Sequence, residues 1–213
     1  MIRSLCGIIL LALVGGCAPA NLTLLKDKET AYYKSGRYLA QFDQAAAPAL
    51  RYLKEAVRHA RPGEKLAIVF DLDETCLSNW TYLQHTDYST AESLFEKWAR
   101  QSDCAVLPAT HALYQEARNS GVNVFFISGR REILRQATER NLARAGYPSY
   151  GGLYLKPMNY DQPSVVPYKS ASRRAIEARG YTILLSIGDQ WSDLAGGSAK
   201  RTFKLPNPFY YIP

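Results

Sequence analysis

Apolar residues gather in short, dense runs at 66–70, 122–127, near 153–155 and 182–187, and more thinly at 202–205, each bounded by polar segments. Runs this short, with little alternation, predict strands buried on both faces, as in a parallel sheet. Segments 109–119 and 131–145 read as helices between them, and 26–58 has the Ala, Leu, Lys, Arg and Tyr pattern of amphipathic helices, closed by Arg61-Pro62-Gly63. Strand and helix alternating at this spacing imply an α/β fold: a Rossmann-like parallel sheet with helices on both faces and right-handed crossovers. In such sheets ligands bind beyond the C-terminal ends of the strands, where Asp71, Ser128 and Asp189 fall. The rhythm breaks at about 76–106. That stretch, with Trp80, Tyr82, Tyr88, Phe95 and Trp98, reads as a small, mostly helical cap over the strand ends.

Composition narrows the class. A chain of 213 residues, 47% hydrophobic and 21% charged, has enough apolar material for one domain with a real core, and is neither disordered nor a multi-span membrane protein. The net charge of +7 comes from scattered lysines and arginines, which serve solubility or attract anionic substrates and surfaces. Without a basic tract interleaved with aromatics or a nucleic-acid module, no nucleic-acid partner is expected.

The first residues look like a leader. Met1-Ile2-Arg3 precedes an apolar run from Leu5 to Val14 that is too short to span a bilayer, and Gly15-Gly16-Cys17 follows. Val14-Gly15-Gly16-Cys17 resembles a bacterial lipoprotein processing site. The resemblance implies a signal peptide over 1–16, a mature domain over 17–213, lipidation at Cys17 and, from Ala18, outer-membrane sorting; an ordinary signal with unmodified Cys17 is the alternative. Export would put Cys76 and Cys104 where disulfides persist. Whether they pair or stay buried thiols is open.

The densest chemistry is Asp71-Leu72-Asp73-Glu74-Thr75, directly after an apolar strand. Two acids at i and i+2 across a turn can divide labour, one attacking phosphorus and the other handling the proton; a solvated surface turn is the bland alternative. Downstream follow Ser128-Gly129-Arg130, then Tyr168-Lys169-Ser170, then Gly188-Asp189-Gln190-Trp191-Ser192-Asp193. In this order the motifs resemble those of the haloacid dehalogenase superfamily, and more narrowly its subfamily IIIB acid phosphatases, which include bacterial lipoprotein phosphatases and plant vegetative storage proteins. The resemblance runs from Glu29 to Pro213.

It implies that Asp71 is the nucleophile, forming an aspartyl-phosphate, and that Asp73 protonates the leaving alcohol and later activates water. Magnesium would be held by the Asp71 side chain, the Asp73 backbone carbonyl and Asp189, with Asp193 orienting bound water or buttressing Asp189. Ser128, Gly129 and Lys169 would grip the phosphoryl oxygens. Thr75 would hold the motif turn by hydrogen bonding, and Arg130 would cap the next helix or meet substrate. Trp80 and Tyr82 either stack on a substrate ring or form the cap's own core. His59, His85 and His111 lack metal-ligand spacing and are expected on surfaces. The implied function is a magnesium-dependent acid phosphatase acting on small phosphomonoesters outside the cytoplasm, membrane-held through its lipid. A non-catalytic storage or binding protein and a phosphotransferase with the same aspartate chemistry are the alternatives.

Overall fold

The computed structural model describes residues 20–213, so the leader and Cys17 lie outside the described residues. Two helices open the fold. In α1 (Leu22–Lys34) the Asn21 side chain caps the first turn by accepting the Leu24 N–H, and Gly36 at φ +77° lets the chain turn into α2 (Arg37–Arg58). Residues Tyr38, Phe42, Ala46, Ala49 and Leu53 recur every three or four positions along α2 and form one buried stripe, which carries the helix through Pro48.

Strands β1 (Lys65–Phe70), β4 (Asn123–Arg131), β5 (Gly152–Lys156), β6 (Tyr181–Gly188) and β7 (Arg201–Lys204) form one parallel sheet in the order β5-β4-β1-β6-β7. On one face Ile68, Phe70, Val124, Phe126, Leu185 and Ile187 pack with the α2 stripe and with Leu113 and Ala117 of α5 (Pro108–Asn119). On the other, Ala67, Val69, Phe125, Ile127 and Ile183 pack with Ile176 of α7 (Val166–Ala178). This double coverage removes the polar alternation of half-buried strands and accounts for the dense apolar runs. Helix α6 (Arg135–Arg144), after a 3-10 turn at Glu132–Leu134, lies between β4 and β5 in sequence and adds Leu142 to the first face. The chain order reverses direction across the sheet at β1, so the ends of β1, β4 and β6 frame a crevice.

The cap rises from a two-stranded antiparallel stem, β2 (Leu77–Ser78) with β3 (Ala105–Val106), and carries α3 (Trp80–His85) and α4 (Glu92–Ala99). Trp80 lies flat on Tyr33 of α1, ring centroids 3.6 Å apart and 6° from parallel, which occupies that face of the indole. Tyr82 is buried against Phe95 and Trp98. The cap aromatics therefore build a core among themselves and with α1. At the rim, Glu92 of α4 meets Arg131 at 3.3 Å and Lys156 at 3.7 Å. Cys76 and Cys104 are buried free thiols. His59 and His85 are exposed, as expected. His111 is not: it is half-buried between Tyr114 and Tyr147 and bonds the Gly146 carbonyl at 2.9 Å.

Candidate active site

The Asp71–Thr75 turn begins where the β1 ladder ends, with the Asp71 N–H donating to the Ile187 carbonyl of β6 at 3.0 Å. The Leu72 carbonyl accepts from both Cys76 N (2.8 Å) and Leu77 N (2.9 Å), folding the segment back on itself. Glu74 pays for this turn with a left-handed backbone, φ +53°. The result separates two carboxylates that are two residues apart in sequence.

Asp71 points into a buried cluster. Lys169, one turn into α7, donates to Asp71 Oδ1 at 2.7 Å and also to Asp193 Oδ1. The carboxylates of Asp71, Asp189 and Asp193 come within 4.8 Å of one another, all buried. Asp189 follows β6 directly. Its Oδ1 accepts from Thr75 Oγ1 at 3.1 Å, and its Oδ2 from Gln190 Nε2 at 2.6 Å and Asn207 Nδ2 at 2.7 Å. Thr75 holds the motif turn by hydrogen bonds on two sides: its backbone N–H donates to the Leu72 carbonyl at 3.3 Å, and its hydroxyl reaches across to Asp189 and joins two motifs. Asp193 sits in a 3-10 turn, Trp191–Asp193, where its Oδ2 accepts the Gln190 N–H at 2.7 Å in a capping box. Arg173, fully buried and four residues beyond Lys169, donates to the carbonyls of Asp193, Ala195 and Gly197 and secures this loop to α7.

Asp73 faces the other way. Arg130, at the end of β4, grips its carboxylate through Nε (3.1 and 3.0 Å to the two oxygens) and Nη2 (2.7 Å to Oδ1), and Asn79 Nδ2 donates to Oδ1 at 2.8 Å. Arg130 thus caps no helix; it lines the cavity with its guanidinium engaged on Asp73. Ser128 is fully buried with its hydroxyl accepting Arg130 N–H at 3.2 Å, while Gly129 lines the cavity. The 128–130 segment is an irregular continuation of β4, with a register shift against β5, not a loop after it.

The electrostatics divide the two acids. Burial, and then Asp193, push Asp71 well above the usual carboxylate range against the pull of Lys169. Burial and Asp193 push Asp189 up to about 7. Burial also acts on Asp73, but the Arg130 charge and the hydrogen bonds from Arg130 and Asn79 outweigh it and hold Asp73 below its ordinary value. Three buried carboxylates against the single ammonium of Lys169 leave a deficit of two positive charges, with oxygen donors only. That donor set and deficit fit a hard divalent cation.

A cavity of about 360 Å³ opens over this cluster, with Asp71, Asp73, Gly129 and Lys169 at its base and Tyr82 and Phe95 of the cap above. The fit at its back wall is close. A methyl group on Gly188 would stand 2.6 Å from Asp193 Cγ, so Gly188→Ala should displace Asp193, loosen Lys169 and lower activity by at least about 100-fold. Steady-state rates with a circular-dichroism check of folding would test it.

Aspartates at the end of a central strand, in place of a glycine-rich phosphate loop, set this sheet apart from nucleotide-binding folds and place it among the haloacid dehalogenase-like proteins. Residues 19–213 match that superfamily's subfamily IIIB (acid phosphatase), and the chain belongs to this family. Among relatives, the stem 28 kDa glycoprotein of Glycine max is 40% identical over 154 residues, 70% of this chain and 61% of the relative. Acid phosphatase 1 of Solanum lycopersicum is 39% identical over 68% of this chain and 58% of the relative. Vegetative storage protein 1 of Arabidopsis thaliana is 38% identical over 68% and 55%. The matched region thus spans less than two thirds of these relatives. The class C acid phosphatase from Bacillus anthracis shares the fold, with a TM-score of 0.70, 23% identity and coverage of 88% of this chain and 86% of that one. A second structure of it has tungstate bound (TM-score 0.71, 22% identity, 89% and 85% covered).

Asn79, Glu74, Gln190, Asn207, Arg173 and Tyr210 contribute to the site without having been singled out in the sequence. For Arg173 a signal existed: it lies four residues after Lys169, on the same helix face.

Proposed function

We propose that the protein is a magnesium-dependent phosphatase that hydrolyses small phosphate monoesters through an aspartyl-phosphate on Asp71. The observation that supports this best is the buried Asp71–Lys169–Asp193–Asp189 cluster, short of positive charge and opening on a cavity at the strand ends. The tungstate held by the Bacillus anthracis protein, a tetrahedral oxyanion, is in keeping with it.

The phosphoryl group would lie against Lys169 and the Gly129 backbone, with the leaving group toward the cap. Asp71 attacks phosphorus as the ester P–O bond breaks, and Asp73 gives its proton to the departing alkoxide. Asp73 then takes a proton from water, whose oxygen attacks the phosphorus of the aspartyl-phosphate and releases inorganic phosphate and free Asp71. Two in-line transfers replace one very slow hydrolysis. Asp71, Asp189 and the Asp73 backbone carbonyl would hold the magnesium ion, with Asp193 beside them. When bound it screens the repulsion between carboxylate and phosphoryl group. The presence of both Asp71 and Asp73 favours this over the non-catalytic storage reading.

The test is turnover of an aromatic phosphomonoester and a nucleotide panel by the purified protein, with and without magnesium and chelator. Activity that chelation removes and magnesium restores is the expected result; full activity in chelator would sink the cation's role, and inactivity throughout would sink the phosphatase reading. A linked effect should appear in stability. Asp189, raised to about 7, contributes stability that is fully present below its unfolded value near 4 and is lost as pH rises through about 7. A cation that keeps the cluster ionised offsets that loss, so the rise in Tm on adding magnesium should be larger at pH 8 than at pH 5.

We further propose that the protein is exported and lipid-anchored through Cys17, on the strength of the leader alone. Cys17→Ser should move it from the membrane to the soluble fraction on cell fractionation; unchanged membrane association would rule the anchor out.

A further inference from the structure

Glu74 is a buried carboxylate with no cationic partner among the described residues, 1% exposed and on a left-handed backbone, and the chemistry above gives it no task. Its partners are Asn79 and Tyr210. The Asn79 backbone N–H donates to Oε1 at 2.6 Å, Asn79 Nδ2 donates to Oε2 at 3.1 Å, and the Tyr210 hydroxyl donates to Oε2. Asn79, itself 2% exposed, uses its other Nδ2 hydrogen on Asp73 Oδ1 at 2.8 Å. Its amide oxygen accepts from Trp98 Nε1 at 3.4 Å and from Cys104 Sγ at 3.3 Å. Both amide hydrogens and both lone pairs are in use, and only one orientation works, because the nitrogen faces two carboxylates and the oxygen faces two donors.

The consequence falls on Asp73. Its Oδ1 receives three donors, from Asn79 Nδ2, Arg130 Nε and Arg130 Nη2, whereas Oδ2 receives only Arg130 Nε at 3.0 Å. An oxygen already accepting three hydrogen bonds is a poor seat for a proton. Asp73 is ionised when the site is empty, and the less occupied oxygen is where a transferable proton would settle once an anionic phosphoryl group beside it offsets the Arg130 charge.

We propose that Asn79 is a positioning residue for proton donation to the leaving group, fixed in place by Glu74 and the Tyr210 hydroxyl, and that it sets which Asp73 oxygen donates. This rests on the reading of Asp73 as the proton donor. In the step concerned, the bond from Asp71 to phosphorus forms, the ester P–O bond breaks, and the Asp73 proton passes from Oδ2 to the leaving oxygen. A nitrophenolate departs without that proton, whereas an alkoxide does not.

The experiment compares kcat/KM, which reports the steps through leaving-group departure, for p-nitrophenyl phosphate and for a simple alkyl phosphate in wild type, Asn79→Ala and Tyr210→Phe. In Asn79→Ala the alkyl ester should lose about 100-fold or more and the nitrophenyl ester less than about threefold. Tyr210→Phe should show a smaller loss with the same selectivity. Equal losses on both esters would make Asn79 a structural residue and overturn the proposal, as would no loss on either. If Asn79→Ala fails to fold, the selectivity of Tyr210→Phe decides alone, and its absence overturns the proposal. Wild type inert on both esters would instead overturn the phosphatase reading, and the positioning role with it.

Discussion

Asp71→Asn should abolish turnover, by at least about 10⁴-fold in kcat, while the protein stays folded with an unchanged or slightly raised Tm. The loss follows from chemistry. An amide is no nucleophile toward phosphorus, and the other aspartates described around the site are held elsewhere: Asp73 is clamped by Arg130 and Asn79, Asp189 by Thr75, Gln190 and Asn207, and Asp193 by Lys169 and Gln190. The retained stability follows from electrostatics. Asp71 is buried beside Asp193 and Asp189, an arrangement that disfavours its charge, and asparagine keeps the shape while removing one negative charge from the cluster. Lys169 loses an ion-pair partner but keeps Asp193. Kinetics on an aryl phosphate together with thermal unfolding would check both halves. Residual activity within tenfold of wild type would mean that Asp71 is not the nucleophile; a collapse in Tm would mean that its charge serves the fold.

The sheet was legible in the sequence because its strands are covered on both faces: 66–70 is apolar throughout, 122–127 is broken only by Asn123 and 182–187 only by Thr182 and Ser186, and each became a strand. Helix α7 was not, for a physical reason. Its buried face is Lys169, Ser170, Ser172, Arg173 and Ile176, polar in four of five positions, because it forms the wall of the site and not of the core. Amphipathic patterning is invisible where the interior is itself charged. The positions of Asp71 and Asp189 followed from the strand ends, and Lys169 and Asp193 from the family resemblance. The pairing of Arg130 with Asp73 depends on where β4 ends relative to β1, a register between strands more than fifty residues apart that neither segment reports alone. The Asn79–Glu74–Tyr210 network joins residues up to 136 positions apart, a separation no local pattern reports.

Lys169→Met should be the most damaging substitution to stability in the site, because it removes the one cation shared by Asp71 and Asp193. The ammonium lies 2.7 Å from Asp71, and its side chain is 6% exposed, so water cannot replace it. Removing one partner of a buried ion pair typically costs about 3–5 kcal/mol, far beyond the lost contact, because the remaining charge stays desolvated. For a domain of this size that corresponds to a fall in Tm of about 10 °C. Activity should fall with it, since the phosphoryl group loses its cation. The two losses can be separated. Adding Asp193→Asn to Lys169→Met removes one of the stranded charges, so the double variant should recover a good part of the lost Tm and none of the lost activity. That non-additivity is the mark of two groups coupled through direct contact. Losses in Tm that simply add in the double variant would show that Lys169 and Asp193 act independently. Recovery of activity without the lysine would show that charge balance alone, not a cation on the phosphoryl oxygens, is what position 169 supplies.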